Sequence, residues 1–196
     1  MAAKRKDPPE PIEYPLVTLK FRDLFVFKDL YGAMYSWLKH EGWVDKVSGS
    51  SVDYVEEFYL EKIGSTGAKD HIIYWELEKF MGDYFKYSMS IGISTIFLNT
   101  TEMMQDGKKI KADIGDLKIT IQVRLHPDYK GEWTNHFLFG PFHDHVKETI
   151  FKGDFTYHKQ KLYKQLYEFQ AEIKRYLNLK QFMGPGEGGF IPAKEV

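Results

Sequence analysis

The sequence contains no cysteine. That single absence removes disulfide frameworks, thiolate zinc sites, iron–sulfur clusters and cysteine nucleophiles from the available chemistry. It also lacks any run approaching the ~20 apolar residues that cross a bilayer as a helix. Its most apolar stretch, Ile91 to Leu98, is interrupted by Gly92, Ser94 and Thr95. Neither sign of charge is in excess: 27 basic residues meet 28 acidic ones, for a formal net charge of -1. Nothing therefore draws the whole molecule to a phosphate backbone or an anionic surface, and neither a nucleic-acid partner nor a membrane span is expected. The N-terminal MAAKRKDPPEP carries charge and proline where a secretory signal needs an apolar core, so the expected location is the cytoplasm.

What is present is enough apolar residue, 43% of 196, for one domain of common size. Residues 1–14 read as a flexible arm, because Lys4, Arg5 and Lys6 are followed by Pro8, Pro9 and Pro11, which remove backbone donors and favour extended chain. Residues 181–196 read as a tail: GPGEGG is costly in entropy to order, and it isolates the apolar Phe190-Ile191-Pro192. Between them, residues 15–180 show no comparable linker and no internal repeat, which predicts a single domain.

Val17, Leu19 and Phe21 alternate with polar neighbours, the period of a strand with one buried face. The period then changes. Leu30, Met34, Trp37 and Leu38 fall three and four apart, predicting a short helix that Asp29 can cap and Gly42 can end. From Tyr54 to Leu125 strands recur, separated by turn chemistry at 64–70, 82–83 and 106–107, which predicts an antiparallel meander. In residues 84–99, Phe85, Tyr87, Met89, Ile91, Ile93, Thr95 and Phe97 share one face, while the other carries Lys86, Ser88, Ser90, Gly92 and Ser94. Leu117, Ile119, Ile121, Val123 and Leu125 occupy odd positions, whereas Ile110, Ala112 and Ile114 occupy even ones. A break of phase is therefore expected at Gly115-Asp116. After Pro127, a brief helix is expected around Phe142, Val146 and Ile150, then a long one over about 156–179 with Leu162, Leu166, Phe169, Ile173 and Tyr176 on one stripe. The inward-facing strand positions and this stripe are expected to form the core.

The fold class so predicted is α+β: a curved antiparallel sheet of about 5–7 strands packed on a long C-terminal helix, with one short helix after the first strand. This order of elements over residues 15–180 is similar to the helix-grip architecture of the START and Bet v 1-like proteins. The resemblance implies a curved sheet wrapped around the last helix and, with it, a small apolar ligand held between the two. No sequence motif accompanies the order, so the likeness is one of fold.

Histidines form the densest chemical cluster: His126, His136, His143, His145 and His158. On a helix His143 and His145 are splayed about 200° apart, and no two histidines stand four apart, so no metal site and no cofactor are expected. His158 falls at the margin of the long helix's apolar stripe, and Tyr163 and Tyr167 are taken with it as candidate margins of a ligand cavity. Glu76 and Glu78 share a strand face in the manner of an acid/base pair, but with Ile73, Trp75 and Leu77 opposite they read as a solvated face paired to Lys79 or a lysine of the next strand. No serine stands in an elbow motif, and GPGEGG follows a helix instead of opening one, so no catalytic residue is assigned.

Aromatic content, 16%, is the feature that stands out. Tyrosine favours margins where one end of the ring meets water, such as pocket mouths and protein contacts. In the strand at 71–80 apolar side chains occur on both faces, with Ile72 and Tyr74 on one and Trp75 and Leu77 on the other. Tyr74 and Trp75, with Phe190 and Ile191 of the tail, are therefore the candidate interaction residues. The expectation is a non-enzymatic protein-interaction or self-assembly module, with carriage of a small apolar ligand as the alternative. A filled interior beneath the last helix favours the first, and an apolar cavity of ~300 Å³ or more the second.

Overall fold

The period-two stretches pair into one antiparallel sheet, and among the described residues two amphipathic helices cover one of its faces. A computed structural model describes residues 7–46, 55–105, 108–137 and 152–183, giving the backbone alone at 103–105, 108–110 and 178–183. The elements in chain order are β1 (Ile12–Glu13), β2 (Val17–Phe21), α1 (Phe27–His40), β3 (Val44–Asp45), β4 (Glu56–Ile63), β5 (Lys69–Met81), β6 (Phe85–Gln105), β7 (Lys108–Pro127) and α2 (Lys152–Met183). The expected brief helix at 141–150 lies outside the described residues.

β4 to β7 form the meander, each strand antiparallel to the next. β3 lies in line with β4 along the same edge of β5, and β1 and β2 both pair with β7 at the far edge. The result is a curved, unclosed seven-stranded sheet with the long helix at its C-terminal end, which is the α+β architecture the periodicities predict. Ile12 and Glu13, placed in the arm by composition, belong to the sheet opposite Leu125 and Arg124, and α2 runs a few residues further at both ends than its stripe suggested.

Most of the expected core positions in β6, β7 and α2 are buried, and Tyr176 is partly so. Phe85, Tyr87, Met89, Ile91 and Ile93 meet Leu117, Ile119, Ile121 and Val123 on the sheet, with Leu162, Leu166, Phe169 and Ile173 above them. α1 adds Leu30, Met34 and Leu38, and the segments flanking it add Phe25 and Trp43. Gly42 ends α1 at φ +72°, a left-handed turn that glycine adopts without strain. Asp29, however, does not cap the helix. It lies inside the first turn, and the carboxylate of Asp113 on β7 accepts the Phe27 N–H at 3.0 Å, a cap delivered across the sheet that local sequence cannot reveal.

The phase break also lies elsewhere than expected. Ile96 pairs with Asp116 and Asn99 with Ile114, so two residues of β6, Phe97 and Leu98, oppose the single Gly115. The extra residue is on β6, and the glycine sits where the bulged backbone comes closest: a Cβ there would lie 2.9 Å from Leu98 Cα. At φ +52° Phe97 swings its ring out to 69% exposure and Leu98 turns inward, so Phe97 is not a core residue. Ala112 is buried as anticipated, but Ile114 is half-exposed.

Candidate interaction surface

Alternation along β5 sends Trp75 and Leu77 toward the helices and Ile72 and Tyr74 to the opposite face. Trp75 is fully buried, its ring edge-on to Tyr31 at 4.8 Å, so of the Tyr74–Trp75 pair only Tyr74 can touch another molecule. Tyr74 is 51% exposed and lies in the cross-strand row Phe58, Tyr74, Gly92, Thr120. Because Gly92 has no side chain, the Tyr74 ring leans over it; a Cβ there would stand 3.3 Å from the ring and 2.6 Å from Thr120 Oγ1. Phe58, 46% exposed, sits beside Tyr74 with ring centroids 6.0 Å apart, and Ile72 extends the patch along β5. Three apolar side chains are thereby gathered at one corner of the uncovered face, next to the β4 edge. Phe190 and Ile191 of the tail lie outside the described residues.

Elsewhere that face also exposes Phe80, its ring 5.6 Å from that of Tyr129, and Ile96, and its charged side chains are paired with one another. Glu78 meets Lys86 at 2.8 Å, Glu76 meets Lys46 at 3.8 Å, and Arg124 bridges Glu13 at 2.7 Å and Ser90 at 3.3 Å. The two glutamates thus take lysines from outside their own strand. Lys79 instead turns inward, donates to the Glu41 backbone carbonyl and lies over the Trp43 ring, and burial lowers its pKa from the ordinary lysine value.

Three hydroxyl–imidazole pairs have no signature in the sequence, since each is made across strands or between sheet and helix. Ser88 Oγ lies 2.8 Å from His126 Nε2. Ser88 is buried and paired on both sides, to Glu78 and Arg124, so its surrounding amides serve the ladder and leave no donor pair to hold an oxyanion. Thr95 Oγ1 lies 2.8 Å from His71 Nδ1, with Glu61 3.9 Å from Nε2, but Thr95 is buried and the Phe27 ring stacks on His71 at 5.0 Å, closing any approach. Tyr87 Oη lies 2.7 Å from His158 Nδ1, beneath α2 and against Phe85. Burial lowers the pKa of all three histidines and raises that of Tyr87. Each pair satisfies groups that burial would otherwise orphan. Among the described residues no three histidine, aspartate or glutamate side chains converge on a metal position, and His143 and His145 lie outside those residues.

The three residues considered for a ligand-cavity margin do not share one. His158 faces the sheet, whereas Tyr163 and Tyr167 are half-exposed on the flank of α2, their rings tilted against each other at 4.6 Å with Tyr14 beside Tyr163. Between α1 and α2 a cleft of about 170 Å³, bounded by Met34, Phe169 and Ile173, is too narrow for a water molecule. A wider depression of about 800 Å³ lies at the surface between Asp7, Pro8 and the loop after β7, with Lys130, Glu132 and His136 in its wall. That loop is held by Asp128, whose carboxylate accepts the Trp133 and Thr134 amides at 3.1 and 2.7 Å. No protein-family model matches the chain, and no curated protein or solved structure matches it at a significant level.

Proposed function

We propose that this protein is a non-enzymatic interaction or assembly module that engages a protein surface through the corner of its sheet bearing Phe58, Ile72 and Tyr74. The observation that carries the reading is the gathering of these side chains on the face opposite the helices, where burying each against a partner is worth roughly 1.5–3 kcal/mol. The rigid backing of the corner supports it as well: β5 is hydrogen-bonded on both edges and its inner side chains, Ile73, Trp75 and Leu77, are locked in the core. A surface so fixed binds with little ordering cost. Carriage of a small apolar ligand draws no comparable support, because Leu162, Leu166, Phe169 and Ile173 fill the space beneath α2.

The test is a photo-reactive benzoylphenylalanine in place of Tyr74 and, as a control on the exposed side of α2, in place of Glu168, in cells that naturally make the protein. Discrete protein adducts at Tyr74 and none at Glu168 are expected. Equal labelling at both sites overturns the proposal, as does a stoichiometric apolar small molecule that survives purification in native mass spectrometry.

A further inference from the structure

We infer that the protein which docks at this corner is a second copy of the same chain, joined antiparallel through β4 so that two sheets run on as one. The inference rests on the interaction reading above and names its partner. Among the described residues β4 pairs only with β5, and nothing pairs its outer edge. An open edge is a template for another strand. This one exposes apolar side chains on both faces, with Phe58 on the patch side and Tyr59 and Ile63, at 49% and 67% exposure, on the other.

Edge charges commonly guard such strands, so their arrangement decides the partner. A two-fold pairing that continues each face requires residues on the same side of the two sheets to oppose one another, which restricts the register to one centred on a residue. Glu57 is the extra residue of a bulge between Glu56 and Phe58, leaving Phe58–Ile63 to pair. Centring on Tyr59 sets Glu57 against Glu61, centring on Glu61 sets that residue against itself, and centring on Lys62 does the same to the lysine. Centring on Leu60 opposes no like charges. It places Phe58 against the partner's Lys62, a cation over a ring, and Tyr59, whose hydroxyl donates at 3.2 Å to Glu61 of its own chain, against the partner's Glu61. Centring on Phe58 or Ile63, at the ends of the regular run, also opposes no like charges but leaves almost none of Phe58–Ile63 paired, so charge and strand length together favour the Leu60 register. The same two-fold brings the two Phe58–Tyr74 patches side by side on one face.

Because the chain has no cysteine, a single introduced thiol reports the register directly. In the full chain, Leu60→Cys lies on the two-fold and should oxidise to a disulfide-linked dimer, since directly opposed strand residues stand within disulfide reach. Ile63→Cys, three residues from the axis, should not. Sedimentation should show a reversible dimer for the unmodified chain, weakened about tenfold or more by Lys62→Glu, a change at an exposed position that sets an acid against Phe58. A monomer throughout the micromolar range, or equal cross-linking of Leu60→Cys and Ile63→Cys, overturns the inference. If at the same time the Tyr74 photo-probe captures a different protein, the interaction reading stands and the self-pairing falls.

Discussion

Replacing Phe169 with alanine probes the join of α2 to the rest of the molecule. Phe169 is fully buried, its ring 4.8 Å from that of Trp37 on α1 at an interplanar angle of 33°, and it forms one wall of the narrow cleft between the helices. A ring of this size buries about 150–250 Å², which at about 25 cal/mol per Å² is about 4–6 kcal/mol. The alanine retains a part of that burial, and comparable truncations cost about 3–5 kcal/mol. The cleft beside Phe169 does not let the helices close up freely, because Leu166 and Ile173 on the neighbouring turns already hold α2 against the sheet. A loss of about 4 kcal/mol is therefore expected. Against a typical total of about 5–15 kcal/mol this leaves the chain folded but weakened. Urea unfolding followed by far-ultraviolet circular dichroism is the assay, and with a slope near 2 kcal/mol per molar the midpoint should fall by about 2 M. Tyr167→Ala, on the half-exposed flank two residues away, should change stability by less than about 0.5 kcal/mol. A loss at Phe169 below about 1 kcal/mol would refute the packing of α2 on α1 and the filled interior that depends on it.

Two glycines should respond in opposite directions to alanine. Gly32, within α1, has open space where a Cβ would go, so Gly32→Ala should raise stability by up to about 1 kcal/mol. Gly115 faces three backbone atoms at 2.9–3.0 Å, so Gly115→Ala should lower it by about 1–3 kcal/mol; a rise in melting temperature for both variants would remove the β6 bulge from the account. The buried histidines set the acid limb of stability. Burial is the main cause depressing the pKa of His71, His126 and His158, seconded by Lys86 at His126 and Lys161 at His158 and opposed by Glu61 at His71. The unfolded chain then binds more protons than the native one once pH drops below about 6.5, so stability is held above that value and lost as pH falls through the native pKa values. Urea midpoints should decline from about pH 7.5 to about pH 5.5, and His158→Asn should flatten the decline. A midpoint that rises on acidification would show that these imidazoles are not held neutral by their surroundings.

The layered α+β architecture and most of its core were legible from periodicity, because alternation at two and recurrence at three and four state which side chains must face inward whatever they meet there. Ile119, Ile121 and Val123 on a strand, or Leu162, Leu166 and Phe169 on a helix, need no knowledge of a partner to be read as buried. The apolar character of both faces of β5 was legible for the same reason. Which face the helices cover is a matter of tertiary structure, and it separates Tyr74, left at the surface, from Trp75 beneath it. The cap of α1 by Asp113, 86 residues away, and the pairings of Ser88 with His126 and Tyr87 with His158 were out of reach, since each joins groups whose separation in sequence carries no period. The bulge shows the division most sharply. The change of phase between Ala112 and Leu117 announced that one strand must carry an extra residue, but hydrophobic pattern alone does not distinguish an insertion in one strand from a deletion in its neighbour. Only the pairing of β6 with β7 assigned it to Phe97 and Leu98 and left Gly115 opposite, where the approaching backbone has no room for a side chain.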